Sequence, residues 1–170
     1  MDEIRNKVKE SSLIQLDLAE FKPKENIEII DLKNQLWQGL ALKEKDFRAY
    51  VQEENWEQYL GKAVGVICSA DAIIPTWAYM LVISKLAELD VPAFVGDQDV
   101  VQLELIKRNI AAFDTSGTEN GKFIIKGCSD IFHPAFAMSE LTKKLIPVAS
   151  SIMYGEPCST VPVFKKKRKK

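Results

Sequence analysis

Each of the three cysteines in this chain is followed by serine: Cys68-Ser69, Cys128-Ser129 and Cys158-Ser159. Two of these pairs close near-copies of one segment. Gly61-Lys62-Ala63-Val64-Gly65-Val66-Ile67 runs into Cys68-Ser69-Ala70-Asp71, and Gly121-Lys122-Phe123-Ile124-Ile125-Lys126-Gly127 runs into Cys128-Ser129-Asp130. The third pair stands in Gly155-Glu156-Pro157-Cys158-Ser159-Thr160-Val161-Pro162, the segment richest in turn formers. The thiolate is the form of cysteine that attacks electrophiles and binds metals, so a pocket where the three segments meet would be a reactive site.

Three chemistries suit such a set. Cys68, Cys128 and Cys158 could bind zinc, with a fourth ligand from Asp71, Asp130, Glu156, His133 or water. They could hold an iron–sulfur cluster with one non-cysteine position. Around a bound cofactor, Ser69, Ser129 and Ser159 would donate hydrogen bonds to sulfur, and Asp71 and Asp130 would stand near it while capping the helices that follow. Alternatively, one of Cys68, Cys128 or Cys158 serves as a catalytic nucleophile or sulfur carrier, a second resolves the adduct, and Glu156 or His133 moves the proton. The plain alternative is a binding or scaffold protein whose cysteines only pack, as small apolar side chains do. No C-x-x-C is present, and spacings of 60 and 30 residues bring the sulfurs together only through the fold. His133 is the single histidine, which excludes a multi-histidine metal centre. No phosphate-loop or hydrolase signature occurs.

The elements that would position these residues alternate from Gly61 onward. Ala63–Ile67, Val91–Val95 and Lys122–Lys126 read as short buried strands. Pro75–Leu89 and Asp99–Phe113 read as helices, with Val100, Leu103, Ile106 and Ile110 on the apolar stripe of the second. Trp77, Tyr79 and Met80 form an apolar face of the first and are expected in the core. Ala135–Tyr154 reads as a long helical stretch bent near Pro147. This order predicts an α/β protein in three layers, a mostly parallel sheet flanked by helices. Residues 1–60 are less regular: a short helix over Met1–Glu10, strands over Ile27–Leu32 and Leu36–Leu42, and one or two helices within Glu44–Leu60, with the strands joining the sheet or layering over its end. The expected organisation is one domain over 1–164, with a β-α-β-α-β-α core at 61–164 and a disordered basic segment at 165–170. In an open parallel sheet, ligands collect beyond the carboxyl ends of the strands, where Cys68 and Cys128 fall just before helices whose N-termini favour a thiolate.

Composition narrows the setting. The 170 residues are 46% hydrophobic and 28% charged, ordinary for a globular protein that buries a full core. No apolar run reaches the ~18–20 residues that cross a bilayer, and the first residues lack a secretion signal. A cytoplasmic protein with reduced thiols is therefore expected. The net charge of −1 balances +6 on Lys165-Lys166-Lys167-Arg168-Lys169-Lys170 against −7 elsewhere. The acidic body, with no basic stripe, argues against nucleic-acid binding as the main function.

Cys68-Ser69-Ala70-Asp71-Ala72-Ile73 with Pro75-Thr76-Trp77-Ala78-Tyr79-Met80-Leu81, Lys126-Gly127-Cys128-Ser129-Asp130, and Ser151-Ile152-Met153-Tyr154-Gly155-Glu156-Pro157-Cys158-Ser159-Thr160-Val161-Pro162 together resemble a Bacteroidetes family, domain of unknown function 2480. Met1-Asp2-Glu3-Ile4 and the stretch from Gln38-Gly39-Leu40 through Lys43-Glu44-Lys45-Asp46-Phe47-Arg48 resemble it too. The resemblance spans nearly the whole chain up to the basic segment. It implies no assigned activity; what it suggests is an accessory role beside iron–sulfur cluster assembly, with the assembly proteins as partners.

Overall fold

The computed structural model describes residues 13–127 and 130–167. In chain order its elements are β1 (Leu13–Asp17), a 3₁₀ helix (Leu18–Phe21), β2 (Asn26–Asp31), a 3₁₀ helix (Leu32–Gln35), α1 (Glu44–Glu53), a 3₁₀ helix (Trp56–Tyr59) and β3 (Lys62–Ile67). There follow α2 (Thr76–Glu88), β4 (Ala93–Val95), α3 (Gln98–Ala112), β5 (Gly121–Lys126), α4 (Pro134–Leu145), β6 (Ala149–Glu156) and β7 (Ser159–Lys165). The class is α/β with mostly parallel sheets, as the alternation of elements implies. The strands divide into two sheets, ordered β2-β3-β4 and β1-β5-β6-β7, and among the strand pairs of the described residues only β6–β7 is antiparallel. Both edges of β5 are taken, by β1 and β6, so β4 has no place beside it.

The chain forms two compact units, Lys24–Glu104 and Met1–Pro23 with Leu105–Lys170. Within Lys24–Glu104, Val64 and Val66 are fully buried in a cluster with Phe47 and Val51 of α1 and Ala78, Val82 and Leu86 of α2. The i, i+4, i+8 spacing of the α2 residues puts one apolar stripe on the sheet. The other face of β3 carries Gly65. A Cβ there would lie 2.6 Å from the Gly96 carbonyl oxygen and 2.7 Å from Ile29 Cδ1, so the close approach of backbone to strand requires glycine.

In the second unit, Phe123 and Ile125 of β5 and Ile152 of β6 pack with Leu16 of β1, Ile106 and Ile110 of α3, and Ala137, Leu141 and Leu145 of α4. The plan of the first unit recurs. A strand ending in aspartate and a 3₁₀ helix (β1 with Asp17, β2 with Asp31) lies parallel to a central strand, and that strand leads through a helix to a third parallel strand. The central strands, β3 and β5, are the two near-copies that lead into Cys-Ser.

Several expectations change. The stretch Ala135–Tyr154 is not one helix: α4 stops at Leu145 and β6 begins at Ala149. Pro147 cannot donate to the helix, and the backbone beyond it finds partners in β5 and β7 instead. Leu36–Leu42 is not a strand but a tight reversal, with the Trp37 N–H donating to the Ala41 carbonyl at 2.8 Å and Gln38 and Gly39 both in the left-handed region. The buried stripe of α3 is Val101, Leu105, Ile106 and Ile110, with Val100 turned outward. Trp77 and Tyr79 pack against the first unit's core, whereas Met80 is 66% exposed. The expected helix over Met1–Glu10 lies outside the described residues. No described helix is long and apolar enough to cross a membrane.

Candidate functional site

Cys68 follows the last residue of β3 and is a half-buried free thiol that donates to the Ala70 carbonyl at 3.7 Å. Its neighbour Ser69 is clamped from the next strand. Asp31 ends β2 in register with Ile67, and its carboxylate accepts the Ser69 N–H at 3.0 Å and the Ser69 hydroxyl at 2.6 Å. The same carboxylate accepts the Lys33 N–H at 3.0 Å and pairs with the Lys33 ammonium at 3.3 Å. A carboxylate offers about four lone-pair sites, so Asp31 is saturated by these partners and acts as an anchor, not as a free acceptor. Burial pushes its carboxyl up, but the hydrogen bonds from Ser69 and Lys33 outweigh this and hold it at about 2.

Tyr79, in the first turn of α2, packs against the same core cluster as Cys68. Burial raises its phenol first, and the charges of Cys68 and Asp31 raise it further. The expected helix N-terminus is absent from the position of Cys68, because α2 begins only at Thr76. Its cap position is Pro75, without a side-chain hydrogen bond. Asp71 is exposed and does not cap α2; the loop 69–75 separates it from the helix and is tied instead to the Trp37–Ala41 turn by a bridge between Ala41 and Ile73.

In the other unit, Cys128 and Ser129 lie outside the described residues. Gly127, just before them, lies under the Tyr154 ring, where a Cβ would come within 2.5 Å of the phenol oxygen. Lys126 closes β5 and pairs with Glu156 at the end of β6, at 3.6 Å. Pro157 and Cys158 form the two-residue turn between β6 and β7, and Cys158 is an exposed free thiol. Ser159 then pairs with Glu156 across the hairpin. Asp130 does not cap α4. It pairs with Lys22 at 2.6 Å, and that hydrogen bond and charge lower its carboxyl. The α4 cap position is His133, in left-handed backbone with no side-chain cap bond. Its ring meets Phe132 and Phe136 edge-on at 6.2 and 6.4 Å.

The structure thus brings Ser69 to Asp31 and Glu156 to Lys126. It sets Cys68 in one unit and Cys158 in the other. Among the described residues, no three of His, Cys, Asp and Glu gather to hold a metal. The sequence reading missed Asp31 and gave Tyr79 only a place in the core. The available signal for Asp31 was its place: a carboxylate closing the apolar run Ile27–Ile30, at the strand end where sites form. A shallow depression of about 530 Å³ beside α1, lined by Gln35, Asp46, Ala49, Tyr50, Glu53 and Glu54, includes no cysteine.

A family model described as "Protein of unknown function (DUF2480)" matches residues 2–166. No curated protein and no solved structure matches the chain.

Proposed function

Because the chain belongs to the DUF2480 family, whose description assigns no activity, we propose from its own residues that it binds a metal ion or iron–sulfur cluster through Cys68, Cys128 and Cys158. The observation that carries this reading is the repeated plan of the two units, in which the central strand of each leads into a Cys-Ser pair at its carboxyl end. Packing cysteines need no such repetition of the neighbouring serine.

The helix N-terminus that would activate Cys68 as a nucleophile does not stand at its sulfur. A nucleophilic thiolate is usually supported by a nearby cation, an imidazole or a helix N-terminus. Cys68 instead donates to the Ala70 carbonyl, and α2 begins only eight residues beyond it, at Thr76. We place the protein in the cytoplasm, where its thiols stay reduced, as an accessory factor that takes or gives metal or cluster to iron–sulfur assembly proteins.

The experiment is thiol protection. Reduced full-length protein, stripped of metal, is loaded with zinc or with iron and sulfide under anaerobic conditions, and its cysteines are then alkylated. All three thiols are expected to be slowed on loading, and Cys68→Ser, Cys128→Ser or Cys158→Ser is expected to lower the metal retained. Unchanged alkylation of every thiol after loading would refute the reading.

A further inference from the structure

We propose that strand β7 and the basic run that follows it form a docking surface for an anionic lipid bilayer. On β7, Val161 is 61% exposed and Val163 54%. Val161 stands opposite Tyr154, itself 40% exposed. Val163 falls where the β6–β7 register shifts between Ile152 and Met153, so it has no partner across the strand. Apolar side chains thus line the outer edge of the sheet just before the run of cations from Lys165 to Lys170.

The run starts on the sheet itself. The Lys166 N–H donates to the Ser150 carbonyl at 2.9 Å, so the first cations of the run are held at the sheet edge beside the valines.

Two features select a lipid surface as the occupant. Reversible attachment to a membrane is stable when a polybasic segment is joined to an apolar element, and here the two adjoin. Lysines near an anionic leaflet act within a Debye length of about 8 Å at physiological salt, so the six cations of the run outweigh the acidic body, which is screened beyond that distance. A second copy adding a strand is disfavoured, because Pro162 removes a donor from the β7 edge. Nucleic acid is disfavoured because valines offer bases no aromatic face on which to stack.

The test uses the full chain with phosphatidylcholine vesicles, with and without phosphatidylglycerol. Binding is expected only to the anionic vesicles and is expected to fall as salt rises. Replacing the six basic residues of the run by glutamine should lower the vesicle partition coefficient by at least about tenfold, because the attraction of the run to the anionic leaflet is lost. Val161→Ser with Val163→Ser should lower it several-fold while leaving the salt dependence unchanged, with circular dichroism confirming that the fold persists. Equal binding to neutral vesicles, no binding to anionic ones, or tighter binding to single-stranded RNA than to anionic vesicles would each overturn the proposal. None of these outcomes depends on whether the cysteines hold a metal.

Discussion

Phe123→Ala is expected to lower the unfolding free energy by about 3–5 kcal/mol, the cost typical of emptying an aromatic site in a packed core. Phe123 is fully buried at the centre of β5, among Leu16, Ile152, Leu141 and Leu145. Its neighbours belong to two strands and a helix whose backbones are held by their own hydrogen bonds, so they cannot collapse into the space. Urea denaturation should show the midpoint falling at unchanged slope. Val163→Ala, on the exposed edge of the same sheet, should stay within about 0.5 kcal/mol. If the two changes cost the same, the assignment of β5 as the buried centre of its sheet is wrong.

Asp31→Asn is expected to remove a pH-dependent part of the stability. The folded carboxyl titrates at about 2, against an ordinary value of 3.8. A depressed carboxyl pKa means that the charged form is the one held by the fold. Its contribution is therefore complete above pH 3.8 and is lost as the pH falls towards 2. The shift corresponds to about 1–2 kcal/mol once partial solvent contact is discounted. The unfolding free energy of the wild-type chain should fall more steeply than that of Asp31→Asn between pH 4 and pH 2. Parallel pH–stability curves for the two proteins would show that Asp31 is not the clamp described here.

The central strands were legible in the sequence because a strand buried on both faces reads as an unbroken apolar run, as Ala63–Ile67 does. Helices α2 and α3 were legible from their apolar spacing, although the buried stripe of α3 holds Val101 and Leu105 where Val100 and Leu103 were expected. The second sheet was not legible. Its first strand, Leu13–Asp17, is a five-residue piece whose partner β5 lies more than a hundred residues away, and no local pattern carries a pairing of that range. Strand β6 was masked by its neighbour: Ala149–Tyr154 continues the apolar spacing of α4, and only the loss of a donor at Pro147 and the pairing offered by β5 separate them.

The site divides along the same line. The cysteines announced themselves by repetition, and the register of β3 places Cys68 at a strand end, as expected. What lay beyond the sequence was the support. Asp31 reaches Ser69 only because β2 is in register with β3, and Asp130 turns to Lys22, 108 residues away, instead of to its own helix. At Asp130 capping, a local rule, lost to a partner supplied by the fold.

Metal and sulfide content per chain, read together with the optical spectrum of protein prepared without oxygen, bears most directly on the claim that the thiols serve a bound centre. The account requires near-stoichiometric metal in the wild-type chain and little in the Cys68→Ser, Cys128→Ser and Cys158→Ser proteins, each with an unchanged far-ultraviolet dichroism spectrum. A folded wild-type chain that carries no metal and takes none up on anaerobic loading would contradict it.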